Sequence, residues 1–201
     1  MKNSFAIGLS LALVALSGTT SAQGVQKTSP HKDGPKVASK SHIGARNVSL
    51  PGALAASVGG SDDCAAPMSI SGQGTFPYDN SAATNGAEGQ NEYLCYDFGS
   101  SAVDNDVWFA WTADVTGTAV VNTCGFTTLD TKIAAYPDNG GGCPAPGSVL
   151  DCSDDFCSLE SQVSFACNNA STYLLQIGSF PGAIGGTGSI GVTINTPITN
   201  D

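Results

Sequence analysis

The stretch Asp106-Val-Trp-Phe-Ala-Trp-Thr-Ala113 decides the fold. Its aromatic and branched residues suit a pleated, half-buried backbone. Alternation puts Val107, Phe109 and Trp111 on one face and Trp108 and Ala110 on the other. Comparable runs follow at 117–124, 130–136, 162–166, 172–177 and 189–194. Gly, Pro, Asn and Asp punctuate them, as in Pro137-Asp-Asn-Gly-Gly-Gly142. No run in this part has helical periodicity, and 80–91 reads as a long loop. Short strands at this spacing predict an all-β fold, a sandwich over residues 61–201.

Outward from that core, the chain changes character. Of 201 residues only 12% are charged, and the formal net charge is −10. Residues 47–201 hold 16 acids and one base, Lys132, for a net charge of −15. Residues 23–46 hold five bases and Asp33, for +4. So acidic a domain repels phosphates, which argues against a nucleic-acid partner. Residues 23–60 have no aromatic side chain and carry Pro30, Pro35 and Pro51, so they are expected to form a basic, flexible N-terminal arm. Residues 1–22 read as a signal peptide: Lys2, an apolar run over 5–16, then Thr20-Ser21-Ala22 before the cut. That run is too short to span a membrane, and no later segment is long enough. A secreted, extracellular protein is expected.

Export makes the seven cysteines readable as disulfides. Counting cannot fix their pairing. The expectation is Cys64 with Cys95, Cys124 with Cys157, and Cys143 with Cys152, leaving Cys167 over. Cys152 and Cys157 lack the further ligands of a zinc site. Asn47-Val-Ser49 and Asn169-Ala-Ser171 match the N-glycosylation pattern, a short motif that also occurs by chance.

Several marks stand in order: Asp106-Val-Trp-Phe-Ala-Trp111, Thr116-Gly117, Thr123-Cys124-Gly125, Leu129-Asp130-Thr131, Leu150-Asp-Cys-Ser-Asp-Asp155 and Thr172-Tyr-Leu-Leu-Gln-Ile-Gly178. With Gly188-Ser-Ile-Gly-Val-Thr-Ile194 they make residues 62–195 resemble the bacterial pre-peptidase C-terminal domains and their cysteine-rich extracellular relatives. The resemblance implies a jelly-roll-like antiparallel β-sandwich without catalysis of its own. It also implies binding to calcium or to an insoluble polymer, since several members bind the one and some the other. Members usually accompany an enzyme. The 38 residues between Ala22 and Ser61 are too few for one, so this chain is expected to work alone, with copies of itself or on a separate partner.

The residues themselves point away from an enzyme. Both histidines, His31 and His42, lie in the arm, and no G-x-S-x-G elbow occurs. A calcium site is a candidate, since this ion takes six to eight hard oxygens. Asp104, Asp106, Asp130, Asp151, Asp154 and Asp155 are its candidate ligands. The alternative is that they form turns and a solvated surface. Trp108 is either buried, as strand tryptophans usually are, or a stacking platform for a sugar ring.

The arm carries the leading expectation: a secreted structural protein that self-associates through residues 37–58. Val37, Ile43, Arg46, Val48 and Leu50 are the candidate contacts, adding an extended segment to a neighbour's sheet edge. Such a head-to-tail contact builds open filaments unless it closes a ring. The second expectation is a module binding an extracellular polysaccharide or other polymer.

Overall fold

The computed structural model describes residues 59–197. The expected signal peptide, most of the arm, and Val37, Ile43, Arg46, Val48 and Leu50 lie outside the described residues.

Nine strands form two sheets: β1 (Met68–Ser71), β2 (Gly74–Asp79), β3 (Asp104–Thr112), β4 (Gly117–Asn122), β5 (Thr131–Pro137), β6 (Asp151–Asp154), β7 (Gln162–Cys167), β8 (Thr172–Ser179) and β9 (Thr187–Asn195). One sheet has the order β1-β3-β8-β5-β6 and the other β2-β9-β4-β7. From β2 onward the chain crosses between sheets in the jelly-roll order, as expected. β1 pairs parallel with β3, whereas the other strand pairs are antiparallel. The parallel pair arises because β2, which follows β1, lies in the opposite sheet.

Period-two alternation builds the core between the sheets. Val107, Phe109 and Trp111 of β3 point into it, against Leu175 and Ile177 of β8 and Val121 of β4. Trp111 meets Phe165 edge-on at 6.1 Å, and its indole N–H donates to the Gly72 carbonyl at 2.8 Å. An aromatic pair of this geometry adds about 1 kcal/mol beyond area burial.

The outer face of the five-stranded sheet is buried as well. The long β2–β3 connection covers it, with one short 3-10 turn at Tyr93–Cys95. Trp108, Ala134, Tyr136 and Leu174 form a second apolar cluster beneath it, with Cys64, Cys95 and Cys152. Gly89 makes the close approach possible: its φ is +72°, and a Cβ there would run into Gln176 and Tyr136.

This covering layer corrects the expected disulfides. Cys95 pairs with Cys152, and Cys64 with Cys143, with Cα separations of 5.0 and 4.9 Å. Cys64 does not meet Cys95, nor Cys143 meet Cys152. The connection carries Cys95 across the sheet onto β6, whose Cys152 faces outward. Cys143, in the β5–β6 loop, is left to reach the domain's entry. Cys124 pairs with Cys157, and Cys167 is a buried free thiol.

The Cys95–Cys152 bond closes a span of 57 residues. Chain-entropy arithmetic for a loop of that size gives about 4 kcal/mol. The double variant Cys95→Ser, Cys152→Ser is expected to lose stability on that order in denaturant titration. In a Trp111→Phe background its Trp108 fluorescence should become more quenchable by acrylamide.

Candidate functional site

Trp108 is 1% exposed, so it offers no platform for a sugar ring. The sequence assigned it to the correct side of the sheet but gave no sign of the layer above. Beneath that layer its indole N–H donates to Asp106 Oδ2 at 2.8 Å. Gln176 donates to the same oxygen at 3.0 Å, and the Gly86 N–H donates to Asp106 Oδ1 at 2.9 Å. The Tyr136 hydroxyl donates to Gln176 Oε1 at 3.1 Å. Burial raises the Asp106 carboxyl above its ordinary value, against the pull of these donors. Burial likewise pushes the Tyr136 phenol up.

The six candidate metal ligands divide into two sets. Asp106 belongs to the network just described. Asp104 accepts from the Asn85 side chain at 2.8 Å and the Gly182 N–H at 3.2 Å. Asp151 accepts from the Cys152 N–H at 3.0 Å and the Ser164 N–H at 2.6 Å. These three brace strands and loops. Asp130, Asp154 and Asp155 instead converge, each offering an oxygen within 4.8 Å of the others.

Strand pairing explains the convergence. Asp154 ends β6 opposite Lys132 of β5, on the outer face of the sheet. Asp130 immediately precedes β5 and Asp155 immediately follows β6. The Lys132 ammonium lies 3.7 Å from Asp154 Oδ2, and the two side chains are 0% and 1% exposed. Lys132 donates to the Ser100 carbonyl at 3.0 Å and sits 5.7 Å from the centre of the Phe180 ring. Burial pushes the Asp154 carboxyl up to about 6; Lys132 opposes this, and Asp155, Asp130 and Asp97 add to it. Burial also depresses the Lys132 ammonium, against the attraction of Asp154 and Asp97.

Large apolar side chains stand exposed on the β2–β3, β6–β7 and β8–β9 connections. Phe98, 73% exposed, stacks edge-on against Phe180 at 6.4 Å. Phe156 is 61% exposed and directly follows Asp155. Leu159 and Ile184 are exposed on the β6–β7 and β8–β9 loops. Beside Cys95, Tyr93 and Tyr96 are 88% and 64% exposed. None of these residues is among those the sequence marks as candidate contacts or ligands. Their signal is aromatic residues flanking cysteines, in Tyr93-Leu-Cys-Tyr96 and Phe156-Cys157, where disulfides pin loops.

No family model matches the chain, and no curated protein matches it.

Asp106→Asn turns one acceptor into an amide donor facing N–H groups. It is expected to cost about 1–3 kcal/mol, as for a buried group left without its partner. Because burial raises this carboxyl in the folded chain, its share of stability is full below the unfolded value of 3.8 and falls as pH rises through the folded value. The variant should therefore show a shallower loss of stability with rising pH than the wild type. Thermal melts across the carboxylate range check both effects.

Proposed function

We propose that the protein is a secreted, non-catalytic structural subunit that self-associates head-to-tail, the N-terminal arm of one copy docking on the loop end of the next. The observation that carries this reading is the exposed apolar surface of Phe98, Phe156, Leu159 and Ile184 on loops that also bear Asp97, Asp130, Asp155 and Glu160. Exposed apolar groups rimmed by charge mark interaction surfaces. The arm is complementary in both respects: its net charge is +4 and it carries Val37, Ile43, Val48 and Leu50. Charge guides the encounter and the apolar contact retains it.

Three disulfides fit a non-cytoplasmic, oxidising compartment. Among the described residues, no helix is long and apolar enough to cross a membrane.

The mature chain is expected to form large species in light scattering and filaments or rings in electron micrographs. A chain lacking residues 23–58 should remain folded and monomeric. The double variant Phe98→Ser, Phe156→Ser should behave like the truncated chain. A mature, full-length chain that stays monomeric at high concentration overturns the proposal.

A second reading, a module binding extracellular polysaccharide or another polymer, draws on a different observation. Tyr93 and Tyr96 present exposed rings on a turn fixed by the Cys95–Cys152 bond. Aromatic faces held in place are suited to stacking on sugar rings. Retention on insoluble polysaccharide by the arm-deleted chain, lost in Tyr93→Ala with Tyr96→Ala, supports this reading; no retention removes it.

A further inference from the structure

We propose that Asp130, Asp154 and Asp155 form a calcium site at the junction of β5, β6 and the β6–β7 loop. The inference stands independently of self-association.

Asp154 is the central observation. Its side chain is 1% exposed, and neither carboxylate oxygen has a hydrogen-bond partner. A buried carboxylate without hydrogen bonds is costly, and native structures rarely leave one so. Lys132 supplies charge but does not fill this role. At 3.7 Å its ammonium is beyond hydrogen-bond range of Asp154 Oδ2, and it donates to Ser100 instead.

Geometry and charge then identify the ligand. The three side chains bring carboxylate oxygens to within 4.8 Å of one another. Calcium–oxygen distances are about 2.3–2.6 Å, so two oxygens on one ion can stand up to about 5 Å apart. All three donors are hard oxygens, which suit calcium or magnesium over softer metals. Three carboxylates and one ammonium sum to −2, which a divalent cation neutralises. Asp155 is on the exposed side of the cluster, so water can complete the six to eight ligands calcium takes. Magnesium keeps most of its waters and is usually held by one or two carboxylates, so three carboxylates on one ion suit the larger calcium shell better.

An ion there would join the start of β5 to the end of β6 and fix the root of the loop bearing Phe156. Asp104, Asp106 and Asp151 lie outside this cluster, and their oxygens already accept from N–H donors.

The test uses the full mature chain, stripped with chelator and dialysed. Calcium is expected to bind at one ion per chain in isothermal titration calorimetry and to raise the melting midpoint. Asp155→Asn and Asp130→Asn, each shown folded by circular dichroism, should each weaken calcium binding by about tenfold or more, because affinity follows the charge of the ligand set. Asp104→Asn should bind like the wild type. No calcium binding by the wild type overturns the proposal. So does binding that both Asp155→Asn and Asp130→Asn leave unchanged, or a preference for magnesium over calcium.

Discussion

Covering the outer face of the five-stranded sheet is the constraint on which the rest of this structure depends. A two-sheet sandwich needs only its facing surfaces to be apolar. Here β3 is aromatic on both sides, so Trp108 needs its own shelter. The β2–β3 connection supplies it, and its approach sets the chemistry underneath. Asp106, Gln176 and Tyr136 satisfy the indole and the backbone of the covering layer at the same time. A wholly apolar layer would leave the Gly86 N–H and the Glu88 carbonyl, which meet Asp106 and Gln176, without partners. The Cys95–Cys152 bond then ties the layer to β6, an edge strand with few other attachments.

The same constraint explains what was legible in the sequence. The strands with clear alternation, β3, β4, β5, β7, β8 and β9, can be read because each sends side chains into the central core. β1, β2 and β6 cannot. All three are edge strands that bury few side chains, whereas β7, also an edge strand, keeps its alternation by sending Val163, Phe165 and Cys167 into the core. Pro77 within β2 is tolerated because an edge strand need not donate on both sides, yet in a sequence it signals a break. β6 is Asp-Cys-Ser-Asp, which reads as a loop until its pairing with β5 is seen.

The candidate sites show where local reading ends. Six aspartates look equivalent as hard-oxygen donors. What separates them is whether a backbone N–H lies within reach, and that depends on which loops cross. Asp151 accepts from Ser164, thirteen residues away on β7, and no local pattern announces it. Asp154 faces Lys132 across two strands whose register is set by turns. The expected disulfides miss for the same reason: Cys143 and Cys152 belong to one cluster, but Cys64 and Cys95, distant in sequence, are brought into it and take them as partners. The Cys124–Cys157 bond matches the expected pair, and it joins two loops, β4–β5 and β6–β7.

That end is where rigidity and exposure coincide, and the coincidence has an energetic logic. An exposed Phe on a mobile loop binds poorly, because docking must first order the loop. Here the β4–β5 and β6–β7 loops are joined by Cys124–Cys157, while Lys132 draws Ser100, Phe180 and Asp154 together behind the surface. A buried ion pair is weak evidence of stability in itself, because desolvation offsets most of its attraction. Its geometric effect is clearer. It fixes the directions from which Phe98 and Phe156 project, much of the ordering cost having been met when the chain folds. The acids around them add long-range attraction for a basic partner without filling the apolar contact. Under the proposed head-to-tail docking, such a surface would suit a positively charged segment with spaced apolar side chains, and residues 37–58 carry Lys40 and Arg46 among Val37, Ile43, Val48 and Leu50.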